Sequence, residues 1–151
     1  MWDAEWTSPE LVATGETGAG WAAETLAAGL DDALPDGLYV ATPDAGAREA
    51  LAFWREAAET GFAAPAAFPW TLANSPTGRI SRELGITGPC TTFVGGGTAV
   101  EAARSAAADD LASGLVTRPL VVWLRGDRPV VATGGPVRLL LSALLLTTHA
   151  G

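Results

Sequence analysis

The stretch GPCTTFVGGGTAVEAARSAAADDLASG, residues 88–114, constrains this chain most. A Gly-Pro turn leads into residues 91–94, which have strand propensity, then into three glycines and an alanine-rich run that predicts a helix over 98–113 with Gly114 as its stop. Three glycines permit the positive dihedrals that a sharp strand-to-helix reversal demands. The helix then offers free amides and the positive end of its dipole. Many enzymes mount a nucleophile at such a knuckle, yet Gly95, Gly96 and Gly97 carry none. Spacing alone leaves two readings: Gly95, Gly96, Gly97 and Thr98 seat a carbonyl oxygen or an anion, or the glycines only let helix and sheet pack closely. No Lys follows, so this is not a P-loop, and the dinucleotide-binding glycine spacing is absent.

A chain of 151 residues suits one domain that buries about two-thirds of its unfolded surface, with residues 1–20 unassigned. Hydrophobic residues at 48% against 17% charged predict folding, and leave open whether a partner covers part of the surface or small alanines inflate the count. The net charge of −8 opposes nucleic acid and anionic membrane surfaces. All nine cations are Arg, a bias that fits a GC-rich bacterial genome. One cysteine, Cys90, excludes an internal disulfide, and His149 alone beside it makes no zinc cluster, so no metal or cofactor is expected. A cytoplasmic protein is expected: the N-terminus lacks a signal-peptide pattern, and VRLLLSALLL is too short for a membrane-spanning helix.

Along the chain, GAGWAAETLAAGL predicts a helix stopped by DDALPDG, and residues 38–42 predict a buried strand. A helix follows over 44–61, capped by Asp44, with Leu51, Trp54 and Ala58 on one face. Pro65 and Pro69 make 62–70 a loop that lays Phe62, Phe68 and Trp70 against something. NSPTGRISRELG predicts a helix capped by Ser75 and ended by Gly85. Strands are expected at 119–124 and 130–133, and VRLLLSALLL is open between strand and helix. Apolar strands alternating with helices predict an α/β layered domain whose central sheet is mostly parallel and flanked by helices.

NSPTGRISRELGITGPCTTFVGGGTAVEAA resembles the β-ketoacyl synthase group of the thiolase fold, in which such a helix, Gly-Pro turn and strand lead to a nucleophile elbow. The resemblance extends in organisation over about residues 20–147 and implies an N-terminal half-domain of that fold. Counted from Gly88-Pro89, the family's catalytic cysteine falls on Gly97, and His149 matches neither of the family's histidine motifs, which lie in a second half that this sequence is not expected to contain. With neither nucleophile nor histidine pair, condensation is not expected. The resemblance therefore implies a non-condensing accessory subunit of bacterial polyketide or fatty-acid-type biosynthesis, like a chain-length factor, partnered by a catalytic ketosynthase or by a second copy. In the family the strand before the elbow pairs antiparallel across a two-fold axis, which implies an interface at Cys90, Thr91, Thr92, Phe93 and Val94.

Other residues carry weaker signals. Cys90 is expected to pack as a small buried hydrophobe; the alternative is a small acyltransferase or thioesterase-like enzyme using Cys90 with the helix-end amides. Arg79 and Arg82 either solubilise their helix or project together toward an acyl carrier protein. Trp54, Phe62, Phe68 and Trp70 form core or line an acyl channel. The pairs Asp31-Asp32, Glu56-Glu59 and Asp109-Asp110 are expected to be solvated.

Overall fold

A computed structural model describes residues 6–7, 11–12, 15–30, 33–44, 46–126 and 138–146. Its elements in chain order are β1 (Trp6–Thr7), β2 (Leu11–Val12), α1 (Gly15–Gly29), β3 (Gly37–Thr42), α2 (Ala47–Thr60), a 3-10 helix (Pro65–Thr71), α3 (Ser75–Leu84), β4 (Cys90–Val94), α4 (Gly97–Ala112), β5 (Pro119–Gly126) and β6 (Arg138–Leu145). The sheet order is β1-β6-β5-β3-β4, with β2 also on β6. Across β4, β3 and β5 it is parallel; β6 joins β5 antiparallel, and β1 and β2 join β6 antiparallel. The α/β layered class expected from the sequence is the observed one. The tail segment is a strand, while the strand expected at 130–133, His149 and the Asp31-Asp32 pair lie outside the described residues.

Residue alternation divides the core into two layers. On one face Leu38 and Val40 of β3 with Leu120 and Val122 of β5 meet Leu26 of α1 and Ile80 and Leu84 of α3. On the other, Tyr39, Ala41 and Val121 meet α4 through Ala99, Ala103 and Ala107. Every residue of β3 is buried, which explains its unbroken apolar run GLYVAT. Tyr39, 1% exposed, donates its hydroxyl to Asp110 at 2.5 Å. Burial and that carboxylate push the tyrosine pKa far up. Asp110 is thus a partner of the core, not the solvated acid expected of the 109–110 pair.

Several local expectations change. The cap of α2 is Gly46, at φ +80°, not Asp44. A Cβ at 46 would sit 2.7 Å from the Trp70 carbonyl oxygen, so close approach as well as the left-handed backbone requires glycine. Asp44 instead accepts the Thr42 hydroxyl at 3.3 Å, and its carbonyl accepts the Ala47 N–H. The face Leu51, Trp54 and Ala58 is exposed, and no residue of α2 is fully buried. Residues Pro65–Thr71, expected as an irregular loop, form a 3-10 helix, because Pro65 occupies its first turn, where no backbone donor is needed. Ser75 is the first residue of α3 and Asn74 its cap; the Ser75 hydroxyl bonds back to the Pro69 carbonyl and ties the two helices together.

Candidate functional site

The elbow is built by the end of one parallel strand. Leu38 N–H donates to Pro89 O at 2.8 Å where β4 begins, and Gly95 N–H donates to Thr42 O at 2.9 Å where it ends. Between them Leu38 faces Cys90 and Thr42 faces Val94 in register. Gly95 then turns at φ +146°, a dihedral that L side chains rarely adopt, and α4 begins at Gly97, one residue earlier than expected. The turn Gly88-Pro89 is packed just as tightly, since a Cβ on Gly88 would collide with the Asp36 carbonyl oxygen.

The chain leaving β3 passes through α2 to α3 on one face of the sheet, whereas the chain leaving β4 enters α4 on the other. Adjacent parallel strands whose exits diverge in this way open a crevice at their C-terminal ends, where α/β sheets bind ligands. Gly95, Gly96, Gly97 and Thr98 lie at that crevice; the Ala99 N–H donates to the Gly96 carbonyl at 3.0 Å, and the amides of Gly97 and Thr98 ahead of it have no intrahelical acceptor. Gly97 is exposed, and nothing lies within 4 Å of a Cβ built on it. It also lies outside the positive-φ glycines. Neither space nor backbone therefore demands glycine at 97.

Cys90 stands at the opposite end of β4, about 15 Å from the elbow at the usual strand rise. It is exposed, not packed as expected, because β4 is the edge strand of the sheet. Its thiol donates to Gly88 O at 3.5 Å, and desolvation pushes its pKa up despite hydrogen bonds with Ser81 and Leu38. A thiol held protonated and remote from the helix amides is poorly suited to nucleophilic attack.

The rest of β4 is equally open. Thr91 is exposed, Val94 is 57% exposed, and Thr92 and Phe93 are half-buried, with Thr92 bonded through its hydroxyl to that of Thr77 at 2.7 Å and Phe93 packed toward α4. The strand β4 is thus at the border of the described sheet. Arg79 and Arg82 occupy different settings: Arg79 pairs with Glu83 at 2.9 Å and packs near Gly20 of α1, whereas Arg82 is exposed. Trp54 at 63% and Phe62 at 64% exposure are not core; Trp70 is half-buried. Phe53 makes edge contacts with Trp54 and Phe68, at 5.3 and 5.7 Å between ring centroids.

Sequence reasoning missed Asp36. Its carboxylate accepts Thr117 N–H at 2.8 Å, the Thr117 hydroxyl at 2.7 Å and Arg118 N–H at 2.7 Å, which clamps the entry of β3 to that of β5. Its only signal was an Asp-Gly pair at the start of a strand. Among the described residues no group of His, Cys, Asp and Glu is placed to hold a metal ion, and no helix is long and apolar enough to cross a membrane.

No protein-family model matches the sequence, and no curated protein matches it. Solved structures do. The ishigamide ketosynthase/chain length factor is similar at 16% identity and TM-score 0.57, over 72% of this chain and 35% of that one. A ketosynthase (ApeO) in complex with its chain length factor (ApeC) from Xenorhabdus doucetiae is similar at 14% identity and TM-score 0.65, over 91% of this chain and 59% of that one. The fold is of the ketosynthase and chain-length-factor type. This ketosynthase-like chain spans about one-third to three-fifths of the length of the structures it matches.

Proposed function

We propose that the chain is a non-condensing, ketosynthase-like accessory subunit of bacterial polyketide or fatty-acid-type biosynthesis. The observation that carries this reading is the elbow itself: strand, turn and helix stand in order, and the position that would hold the nucleophile is an exposed glycine with room for a side chain. The helix-end amides of Gly97 and Thr98, with Gly95 and Gly96, shape one end of an acyl pocket without bonding covalently to its contents. Association runs through the Cys90–Val94 edge, with a catalytic ketosynthase or a second copy as the occupant. The exposed aromatic surface of Trp54, Phe62 and Phe68 supports a partner-covered protein, since isolated monomers seldom present large apolar patches. Arg82, with Arg79 behind it, is the contact offered to an acyl carrier protein.

The test joins two measurements. The chain is co-expressed with a catalytic ketosynthase, and the purified material is incubated with acyl-coenzyme A and acyl-carrier thioesters and weighed intact. A stable complex, or a dimer, with no acyl group on this chain is the expected result. Acylation at Cys90 would establish the alternative enzyme and overturn the accessory role.

A further inference from the structure

α4 rests on the sheet through small side chains. Its fully buried residues are Ala99, Ala103 and Ala107, one methyl every four residues, and no larger residue of the helix is fully buried. Such a row is unchanged by a slide of one turn, about 6 Å, so packing by itself does not select where along the sheet the helix stops. The front end does not select it either. There the last fixed point is the Gly95 N–H bonded to the Thr42 carbonyl, ahead of the helix, and the cap residue Gly96 brings no side-chain bond. The back end differs. Asp110, half-buried, accepts the Tyr39 hydroxyl of β3 through its carboxylate, while its carbonyl accepts the Leu115 and Val116 N–H groups of the turn into β5. One residue thus joins α4 to both strands beneath it. Tyr39 is buried, and burial together with the carboxylate raises its pKa, so it remains the donor.

We propose that Tyr39 and Asp110 are positioning residues for the elbow: their bond fixes α4 on β3 and thereby sets where the Gly97 and Thr98 amides stand at the crevice. This rests on the acyl-pocket reading above and names what holds its amides in place. The helix carries the coupling as a rod, with its front amides ~20 Å from Asp110 at the usual rise. When the bond to β3 is lost the turn into β5 remains, and α4 pivots on that turn. A pivot of about 10° at the back end moves the front amides by ~3 Å, a hydrogen-bond length.

Gly97→Cys places a probe thiol among these amides, where a helix N-terminus lowers its pKa below the ordinary value of about 8.5. Its alkylation by iodoacetamide is followed against pH in the full chain by peptide mass, which reads Cys90 separately, with Gly97→Cys alone and combined with Tyr39→Phe, Asp110→Asn or Asp36→Ala. Phenylalanine keeps the ring and removes only the donor. Asp36→Ala destabilises the fold through bonds that end on Thr117 and Arg118, not on α4. The expected result is a midpoint below about 8.5 in Gly97→Cys, raised by Tyr39→Phe so that the rate at pH 7 falls about fivefold, raised less by Asp110→Asn, which keeps one acceptor oxygen, and unmoved by Asp36→Ala. If neither Tyr39→Phe nor Asp110→Asn moves the midpoint, the positioning role is overturned while the elbow amides stand. An equal shift in Asp36→Ala also overturns it, since any loosening of the fold would then suffice. An ordinary midpoint in Gly97→Cys alone overturns the free amides at the elbow and the positioning role with them.

Discussion

Asp36→Ala isolates one anchor of the fold. The carboxylate accepts three hydrogen bonds, two from Thr117 and one from Arg118, across 81 and 82 residues of chain. A bond to a charged acceptor contributes roughly 1.5–3 kcal/mol when shielded and about 1 or less at a surface. Thr117 is exposed and Arg118 half-buried, so the three together amount to about 2–3 kcal/mol. For a domain of this size that corresponds to a melting temperature lower by about 4–12 °C, and Asp36→Asn, which keeps one acceptor oxygen, should lose about half. The effect depends on pH with a definite sign. Partial burial raises the carboxyl pKa, but the bonds from Arg118 and Thr117 outweigh it and hold the folded value below the ordinary 3.8. A depressed folded pKa contributes stability above the unfolded value and loses it as pH falls through the folded one. Circular-dichroism melts of wild type and variant, from neutral pH into the acid range, should therefore show the full gap well above 3.8 and a closing gap below it. A variant melting within about 1 °C of wild type at neutral pH, or a gap undiminished in acid, would refute the clamp.

Gly88→Ala should be costly, because the new methyl meets the carbonyl oxygen of Asp36, a residue already held on its far side. A loss of roughly 3 kcal/mol, read as a lower urea midpoint, is expected, and an unchanged midpoint would mean that the turn has slack. Gly97→Cys should fold with stability changed by about 0.5 kcal/mol or less, since nothing lies within 4 Å of its Cβ. Its thiol, at a helix N-terminus, should react with iodoacetamide about tenfold faster than Cys90, whose pKa is pushed up; equal rates would count against free amides at the elbow.

What the sequence disclosed was local. The passage from strand period to glycines to alanine helix placed β4, the elbow and α4 within a residue, because each of those signals resides in a few adjacent side chains. Strand order does not, and so Cys90 was expected inside when its strand lies at the sheet's border. The amphipathic spacing of Leu51, Trp54 and Ala58 identified an apolar face of α2 correctly, but periodicity says nothing about what stands opposite it; among the described residues none buries it. Asp44 looked like a cap because its residue type is right, yet the left-handed turn at Gly46 places the start of α2 beyond it. The bonds from Asp36 to Thr117 and from Thr77 to Thr92 joined segments whose neighbourhood no local pattern encodes.

Ala99, Ala103 and Ala107 meet the strands with single methyl groups, so the axis of α4 rides lower over the sheet than a leucine-lined helix would. The knuckle is the front end of that rod. Its height, and the direction in which its first amides aim, therefore follow from the thickness of three methyls up to ten residues away. A bulkier residue at any of the three would tilt the rod and redirect the knuckle, so the geometry of the turn at Gly97 is governed as much by the floor beneath α4 as by the glycines themselves.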